Sequence, residues 1–411
     1  MGDVVNAVFD NVVIVVFVLV YVGMMLGRIP GLALDRAGVA LLGAIVLVAT
    51  GRVTVERAWG AIDVPTVALL LGLMVVSAQL RLGGFYTKVT RRLAAARLSP
   101  AALLAADNAV AGVLSAVLAN DIVCLAMAPV LVEGCARRRL DPVPFLLGLA
   151  CAANVGSAAT LIGNPQNMLI GQTLDLSFAR YLLDAGIPSV AGLAATWAII
   201  ALMHRKKWVG ETPVPEVRAP AFSAWKTTKG LLVLGALVVL FIASPWPREV
   251  MALAAAGVLL TSRHMASRET LGLVDWQLLV LFAGLFIVND ALASSGALDA
   301  AAGALASRGV DLGHPAWLFG ITAVLSNLVS NVPAVMLLLP HATGPLGGPV
   351  LALSSTLAGN LIIVGSIANI IVVDQAARHG VRIGWGRHAR VGVPVTLATL
   401  ALAALWLWLR S

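Results

Sequence analysis

Charge is scarce in this chain. Only 12% of its 411 residues are Asp, Glu, Lys or Arg while 60% are hydrophobic, which excludes an ordinary soluble domain and fits a polytopic helical membrane protein. Cysteine is scarcer still. Cys124, Cys135 and Cys151 stand in apolar surroundings with no CxxC and no nearby His, so neither a disulfide framework nor a zinc site is expected and they read as small core residues. No G-x-x-x-x-G-K-[ST] segment occurs, so nucleotide-driven pumping would need a separate partner ATPase; no cofactor and no enzymatic chemistry are implied. Met1-Gly2-Asp3 carries neither a basic n-region nor a small-residue cleavage site, and the first apolar run therefore reads as a retained span. The net charge of +8 does not call for nucleic acid, because Lys and Arg retained in cytoplasmic loops give a membrane protein the same balance.

What the chain has in abundance is apolar runs. Residues 12–27, 32–50 and 64–80 are near spanning length, with Arg28, Asp35, Arg36, Arg52, Glu56, Arg57 and Asp63 in the loops between them. Leu82 to Leu98 intersperses Lys88, Arg91, Arg92 and Arg97 with apolar residues, as an arm lying in the interface would. Residues 101–136 form two short apolar halves meeting at Asn120 and Asp121, a re-entrant hairpin. A broken helix follows at 143–171, then a span at 186–203. The polar stretch 204–229, with His204-Arg205-Lys206-Lys207 and three prolines, reads as a cytoplasmic linker between a first repeat (1–203) and a second (230–411).

The order then recurs: spans at 231–243, 249–261 and 276–293, an arm at 296–312, a hairpin at 316–340, a broken helix at 350–373 and a last span at 391–409. Each half has five spans plus a hairpin that returns to its own side, and an odd number inverts the second half. The expected fold is therefore all-α: two inverted-topology repeats with about ten spans, two re-entrant hairpins and two discontinuous helices. Placing both termini outside puts 22 of the 28 Lys and Arg in inner loops and leaves Arg52, Arg57, Arg180, Arg248, Arg308 and Arg410 outside. That is the pattern of a multi-pass protein of a bacterial-type inner membrane.

Backbone at membrane depth leaves the helix only where protein or a water-filled cavity satisfies it, so the breaks mark a site. Thr160-Leu161-Ile162-Gly163-Asn164-Pro165-Gln166-Asn167 aligns with Ile362-Ile363-Val364-Gly365-Ser366-Ile367-Ala368-Asn369, so that Gly163 matches Gly365, Asn164 matches Ser366 and Asn167 matches Asn369. Together with the hairpin tips, the candidate binding set is Asn120, Asp121, Thr160, Gly163, Asn164, Asn167, Ser330, Asn331, Gly365, Ser366 and Asn369. Half-helix N-termini suit an anionic or polar oxygen solute, while exposed carbonyls and Asn side chains suit a small cation, with Asn120, Asp121 and Asn331 the candidates for sodium. No Lys or Arg is required there. Asp121 is the only tip acid, because Val332 takes its place in the other hairpin; a carboxylate at membrane depth reads as functional, taking up a proton or pairing with a cation. Asp290 is a weaker candidate near the outer end of its span. Cys124 and Cys151 lie close enough to the tip and break that a thiophilic solute would suit them, though burial habit makes them core residues.

Ala119-Asn120-Asp121, the Thr160 to Asn167 stretch and Ser330-Asn331-Val332-Pro333 resemble the ion-transporter superfamily of arsenite permeases, citrate-transporter-like proteins, divalent anion/sodium symporters and some sodium/proton antiporters. The likeness covers nearly the whole chain and is strongest to the arsenite-permease-like and anion-permease branch. Ala119, Asp121 and Val332 stand where the dicarboxylate branch resembles Ser-Asn-Thr, and Asn164-Pro165-Gln166 where it carries Thr-Pro-Pro. The resemblance implies a scaffold half, a moving transport half, a homodimer and elevator motion. The function expected is ion-coupled secondary transport of a small anion or arsenite-like solute, with a sodium/proton antiporter or a dicarboxylate/citrate:cation symporter as the other readings.

Overall fold

The structure, a computed structural model, describes residues 2–27, 33–205, 207–210, 213–215, 220–261 and 266–411. Arg28, Lys206, Arg218 and Arg263, part of the inner-loop charge, lie outside the described residues. Among the described residues ten helices make up the first half: α1 (Gly2–Leu26), α2 (Arg36–Ala49), α3 (Val55–Ala61), α4 (Val64–Leu82), α5 (Phe85–Ala95), α6 (Pro100–Val117), α7 (Asn120–Arg137), α8 (Pro142–Ser157), α9 (Pro165–Thr173) and α10 (Phe178–His204). Ten more repeat the order: α11 (Ala224–Ala243), α12 (Arg248–Leu260), α13 (Ser267–Leu271), α14 (Trp276–Ser294), α15 (Ala297–Ala306), α16 (Pro315–Val329), α17 (Asn331–Leu338), α18 (Gly347–Ala358), α19 (Ile367–Arg378) and α20 (Trp385–Arg410). The fold is all-α, polytopic and twofold repeated. Among the described residues the only β-type pairing is an isolated bridge between Leu140 and Val209.

Local chemistry explains the matching starts. Asp63 accepts from the Thr66 amide at 2.9 Å and caps α4, and Asp275 accepts from the Leu278 amide at 3.0 Å and caps α14. The likeness of Asp63-Val64-Pro65 to Asp275-Trp276-Gln277 is thus a shared N-cap. Helices of the two halves cross in close contact: a Cβ on Gly72 of α4 would lie 2.6 Å from the Ala252 carbonyl carbon of α12, and one on Gly284 of α14 would lie 2.7 Å from that of Ala40 in α2. With little hydrophobic driving force between helices in lipid, such backbone-to-backbone contact is what holds them. The hairpins, broken helices, α10 and α20 pack as a second group.

Several boundaries differ from the sequence expectation. The short helices α3 and α13 fall where only loops are expected, because seven and five residues are below the length a hydropathy reading detects. Helix α11 begins at Ala224, inside the expected linker, because Ser223 caps it by accepting from the Lys226 amide. The return limb of the second hairpin, α17, is only 8 residues long against 18 for α7, and gives way to a tighter turn at Leu339–His341 where Pro340 removes an amide donor.

The inverted repeat carries a direct consequence. Val214 lies in the linker between halves, and Gly344 follows the second hairpin with open space around it. On a cysteine-free background, V214C and G344C are expected to react with an impermeant thiol reagent from opposite faces of the membrane. Labelling of both from one face would contradict the inversion.

Candidate functional site

Each broken helix leaves carbonyls without helical partners, and one Asn in each half gathers them. Asn167 Nδ2 donates to the carbonyls of Ser157 (3.3 Å) and Thr160 (2.9 Å), ten and seven residues earlier; Asn369 Nδ2 donates to those of Gly359 (2.8 Å) and Ile362 (3.1 Å), again ten and seven earlier. The carbonyl nine residues earlier is served from a later helix. In the first half the Tyr181 hydroxyl donates to Ala158 O at 2.9 Å; in the second, His388 Nε2 lies 3.1 Å from Asn360 O, which places its proton on Nε2. The freed backbone is therefore satisfied inside the protein, as its depth demands.

The half-helices that restart are capped from within the break. Asn164 Oδ1 accepts from the Asn167 amide at 2.9 Å, and Ser366 Oγ accepts from the Ala368 amide at 3.2 Å. Glycine precedes both caps because nothing larger fits: a Cβ on Gly163 would sit 2.3 Å from Ser157 O, and one on Gly365 would sit 2.6 Å from Asn327 Oδ1. Thr160 is tied back to the first hairpin, its hydroxyl donating to Ala116 O, while the Asn120 amide donates to Gly163 O at 3.3 Å. Those bonds fix the tip of α6–α7 against the first break. Although α6 is long enough to cross on length alone, its tip thus stops at the level where α8 and α9 part.

Two residues then stitch each half to the other. Asn154 of α8 uses its full hydrogen-bonding capacity: its Oδ1 accepts from Asn120 Nδ2 (3.3 Å) and Ser366 Oγ (2.8 Å), and its Nδ2 donates to Asn360 Oδ1 (2.8 Å) and Asn369 Oδ1 (3.1 Å). Thr356 of α18 occupies the equivalent place, thirteen residues before Asn369 as Asn154 is before Asn167. Its hydroxyl accepts from Asn164 Nδ2 and Gln166 Nε2, both at 3.2 Å. Gln166 Nε2 also lies 3.3 Å from the Asn331 side-chain oxygen, in the amide orientation that lets the Asn331 nitrogen donate to Ser355 O (3.2 Å) and Gly365 O (3.1 Å).

Between these elements lies a cavity of about 40 Å³. Asn120, Asp121, Asn164, Ser330, Asn331 and Ser366 line it, whereas Thr160, Gly163, Asn167, Gly365 and Asn369 stand behind the wall and hold its shape. The N-termini of α7, α9, α17 and α19 all reach it, so four positive dipole ends face one space. Asp121 makes no hydrogen bond or ion pair among the described residues. Ser330, at φ 78°, holds a left-handed conformation that is strained for a side-chain-bearing residue. Helices α1, α2 and α14 close the other side through Met24, Arg36, Leu278 and Leu281. Asp290 is elsewhere, paired with Arg57 at 2.8 Å, and the buried Cys124 and Cys151 are not among the lining residues.

Sequence reasoning missed Arg36, Asn154, Thr356 and Gln166. Arg36 stands at a loop edge in hydropathy, yet it opens α2 at the cavity wall, where its Nε donates to Met24 O at 3.2 Å, so a basic residue lines the cavity although the sequence expectation requires none there. Asn154 and Thr356 were signalled only by their equal spacing from the matched asparagines. Asn167→Ala should leave the Ser157 and Thr160 carbonyls unpaired, and Asn369→Ala that of Gly359, since Ile362 O keeps the Gly365 amide; each should lower stability by about 1–3 kcal/mol, read as thermal unfolding in detergent. Unchanged unfolding temperatures would show that the breaks do not depend on these amides.

The family described as citrate transporter matches residues 17–350. An uncharacterized transporter of Mycobacterium tuberculosis is 31% identical over 97% of this chain and 98% of its own length. The silicon efflux transporter LSI3 of Oryza sativa subsp. japonica is 27% identical over 91% of this chain and 92% of itself. The crystal structure of the YdaH transporter from Alcanivorax borkumensis is similar over 98% of both chains, with a TM-score of 0.57 at 16% identity, a likeness of fold. With matched breaks at membrane depth, a family match over most of its length and end-to-end relatives that are transporters, this chain belongs to the citrate transporter family of multi-pass membrane transporters, within the ion-transporter superfamily.

Proposed function

We propose that the protein is an ion-coupled secondary transporter of a small anion or an arsenite-like hydroxylated solute, working by elevator-type alternating access. The observation that carries this reading is the cavity itself. At about 40 Å³ it has room for about three waters, which in this conformation suits a compact solute better than a tricarboxylate. Four helix N-termini and Arg36 favour negative charge or oxygen-rich solutes. The rice relative, named for silicon efflux, concerns a solute of the same small class.

Asp121 supplies the coupling. It lies beside the solute space without a partner, and the neighbouring Asn120 has its Nδ2 engaged by Asn154, which leaves Oδ1 for a cation. Sodium at Asn120 and Asp121, or a proton on Asp121, would neutralise the carboxylate while solute is bound. Asn331 fits that role less well, because its oxygen faces Gln166. The hairpins and broken helices form the moving group and α1, α2, α4, α11, α12 and α14 the scaffold, in an inner membrane with both termini extracytoplasmic. The unpaired acid also favours a second reading, a sodium/proton antiporter.

Asp121→Asn keeps the shape and removes the titratable group. In proteoliposomes assayed with arsenite, phosphate, sulfate, citrate and sodium, the wild type should concentrate a small oxyanion or arsenite, and the variant should lose concentrative transport while folding normally. A variant that still concentrates solute, with unchanged dependence on pH and sodium, would remove Asp121 from coupling; sodium/proton exchange without any solute would select the antiporter.

A further inference from the structure

A second pocket, of about 630 Å³, lies between the arm α5 and the return limb α7, away from the central cavity. Its wall carries four guanidiniums, of Arg91, Arg97, Arg137 and Arg138, against the single carboxylate of Glu133. At its floor the two helices touch, since a Cβ on Gly134 of α7 would lie 2.4 Å from the Ala94 Cβ of α5. Glu133 is buried and engaged on its own side, accepting from Arg137 Nη2 at 2.7 Å and Arg91 Nη2 at 3.4 Å. Arg138 donates to the carbonyls of Ala96 (3.0 Å) and Leu98 (2.6 Å), which holds it in place. Arg97 is exposed and has no hydrogen bond or ion pair among the described residues. Arg137 and Arg138 would be explained by the negative end of α7 alone. That account does not reach Arg91 and Arg97, which come from the other element and complete an excess of positive charge around an empty space.

The depth of the pocket says what it meets. Helix α7 has 18 residues and is therefore about 27 Å long. Half a bilayer with its headgroups is about 20–22 Å thick, so a tilted limb whose tip lies at the midplane ends among lipid headgroups. This step rests on the proposed placement of the hairpin tips. The half-exposed Leu98 beside Arg97 offers apolar surface to an acyl chain.

We propose that this pocket binds the headgroup phosphate of an anionic phospholipid, which bridges the arm α5 and the hairpin limb α7. A free phosphate has the same charge chemistry, but it brings no acyl chain to the apolar rim, and the pocket opens at headgroup level where lipid is at high local concentration. Near the membrane surface each basic side chain contributes about 1 kcal/mol, or about fivefold in affinity. The lipid therefore gains from Arg97 in particular, whose guanidinium has no hydrogen bond or ion pair among the described residues.

The test uses the full-length protein in detergent with mixed phospholipid micelles. Bound lipid is counted by native mass spectrometry, and thermal unfolding is followed as phosphatidylglycerol or cardiolipin is titrated against phosphatidylcholine. The wild type should retain the anionic lipid and be stabilised by it. Arg97→Gln should weaken retention about fivefold and Arg91→Gln/Arg97→Gln about twenty-fivefold, while Arg308→Gln on the other arm should change nothing. Because Arg97 has no partner among the described residues, its variant tests binding even if the double variant fails to fold. Equal retention by wild type and Arg97→Gln, or equal stabilisation by millimolar inorganic phosphate without lipid, would overturn the proposal. Neither readout depends on solute being moved, so this result stands or falls apart from the transport reading.

Discussion

Backbone that leaves the helix inside a membrane must find every hydrogen-bond partner within the protein, and this constraint shapes the rest of the molecule. Asn167 and Asn369 meet it with the same two reaches, to carbonyls ten and seven residues back, while Tyr181 and His388 cover the carbonyl between. Once those groups are satisfied, the restarting helices can aim their amide ends at a common space. The hairpins follow from the same logic, since their tips dock where the breaks expose partners. Asn154 then couples the first hairpin tip to the second break, and Thr356 ties the first break to α18 of the second repeat.

Departures from twofold symmetry are where function enters. Asp121 faces the cavity where Val332 stands in the other hairpin, and a symmetric packing motif would have no need of that carboxylate. Ser330 holds a strained backbone at the second tip, and its return limb is less than half as long as that of the first. Arg36 belongs to the other helix group, so the basic residue at the cavity wall lies across the boundary from Asp121. Sliding one group past the other would change the distance between that cation and the bound solute, which gives the binding energy a dependence on conformation.

Much of the architecture was legible in the sequence because lipid imposes it. Apolar runs of spanning length, Gly and Pro interruptions at equal offsets, and the distribution of Lys and Arg lead to repeats, breaks and hairpins. The short helices α3 and α13 were not legible, since a few residues at the interface carry no hydropathy signal. For the site, hydropathy located Asn120, Asn164 and Ser366 because polar residues interrupt apolar runs there. Asn154 and Thr356 sit within continuous helices, where one polar residue looks like a packing choice until its partners are seen. Arg36 was hidden for the opposite reason: at the edge of a run, a cation is ordinary, and only the tertiary fold carries it to the cavity wall.

In the proposed transport cycle the hairpins and broken helices move as a body against the scaffold around this cavity. Leu278 on the scaffold and Val332 on the second hairpin both line it. In a variant lacking native cysteines, L278C/V332C cross-linked by a short bifunctional thiol reagent or by disulfide formation should be locked, with transport lost on cross-linking and recovered on cleavage by a reductant. Full transport by the cross-linked protein would contradict the account, because the two groups would then not need to separate for solute to cross.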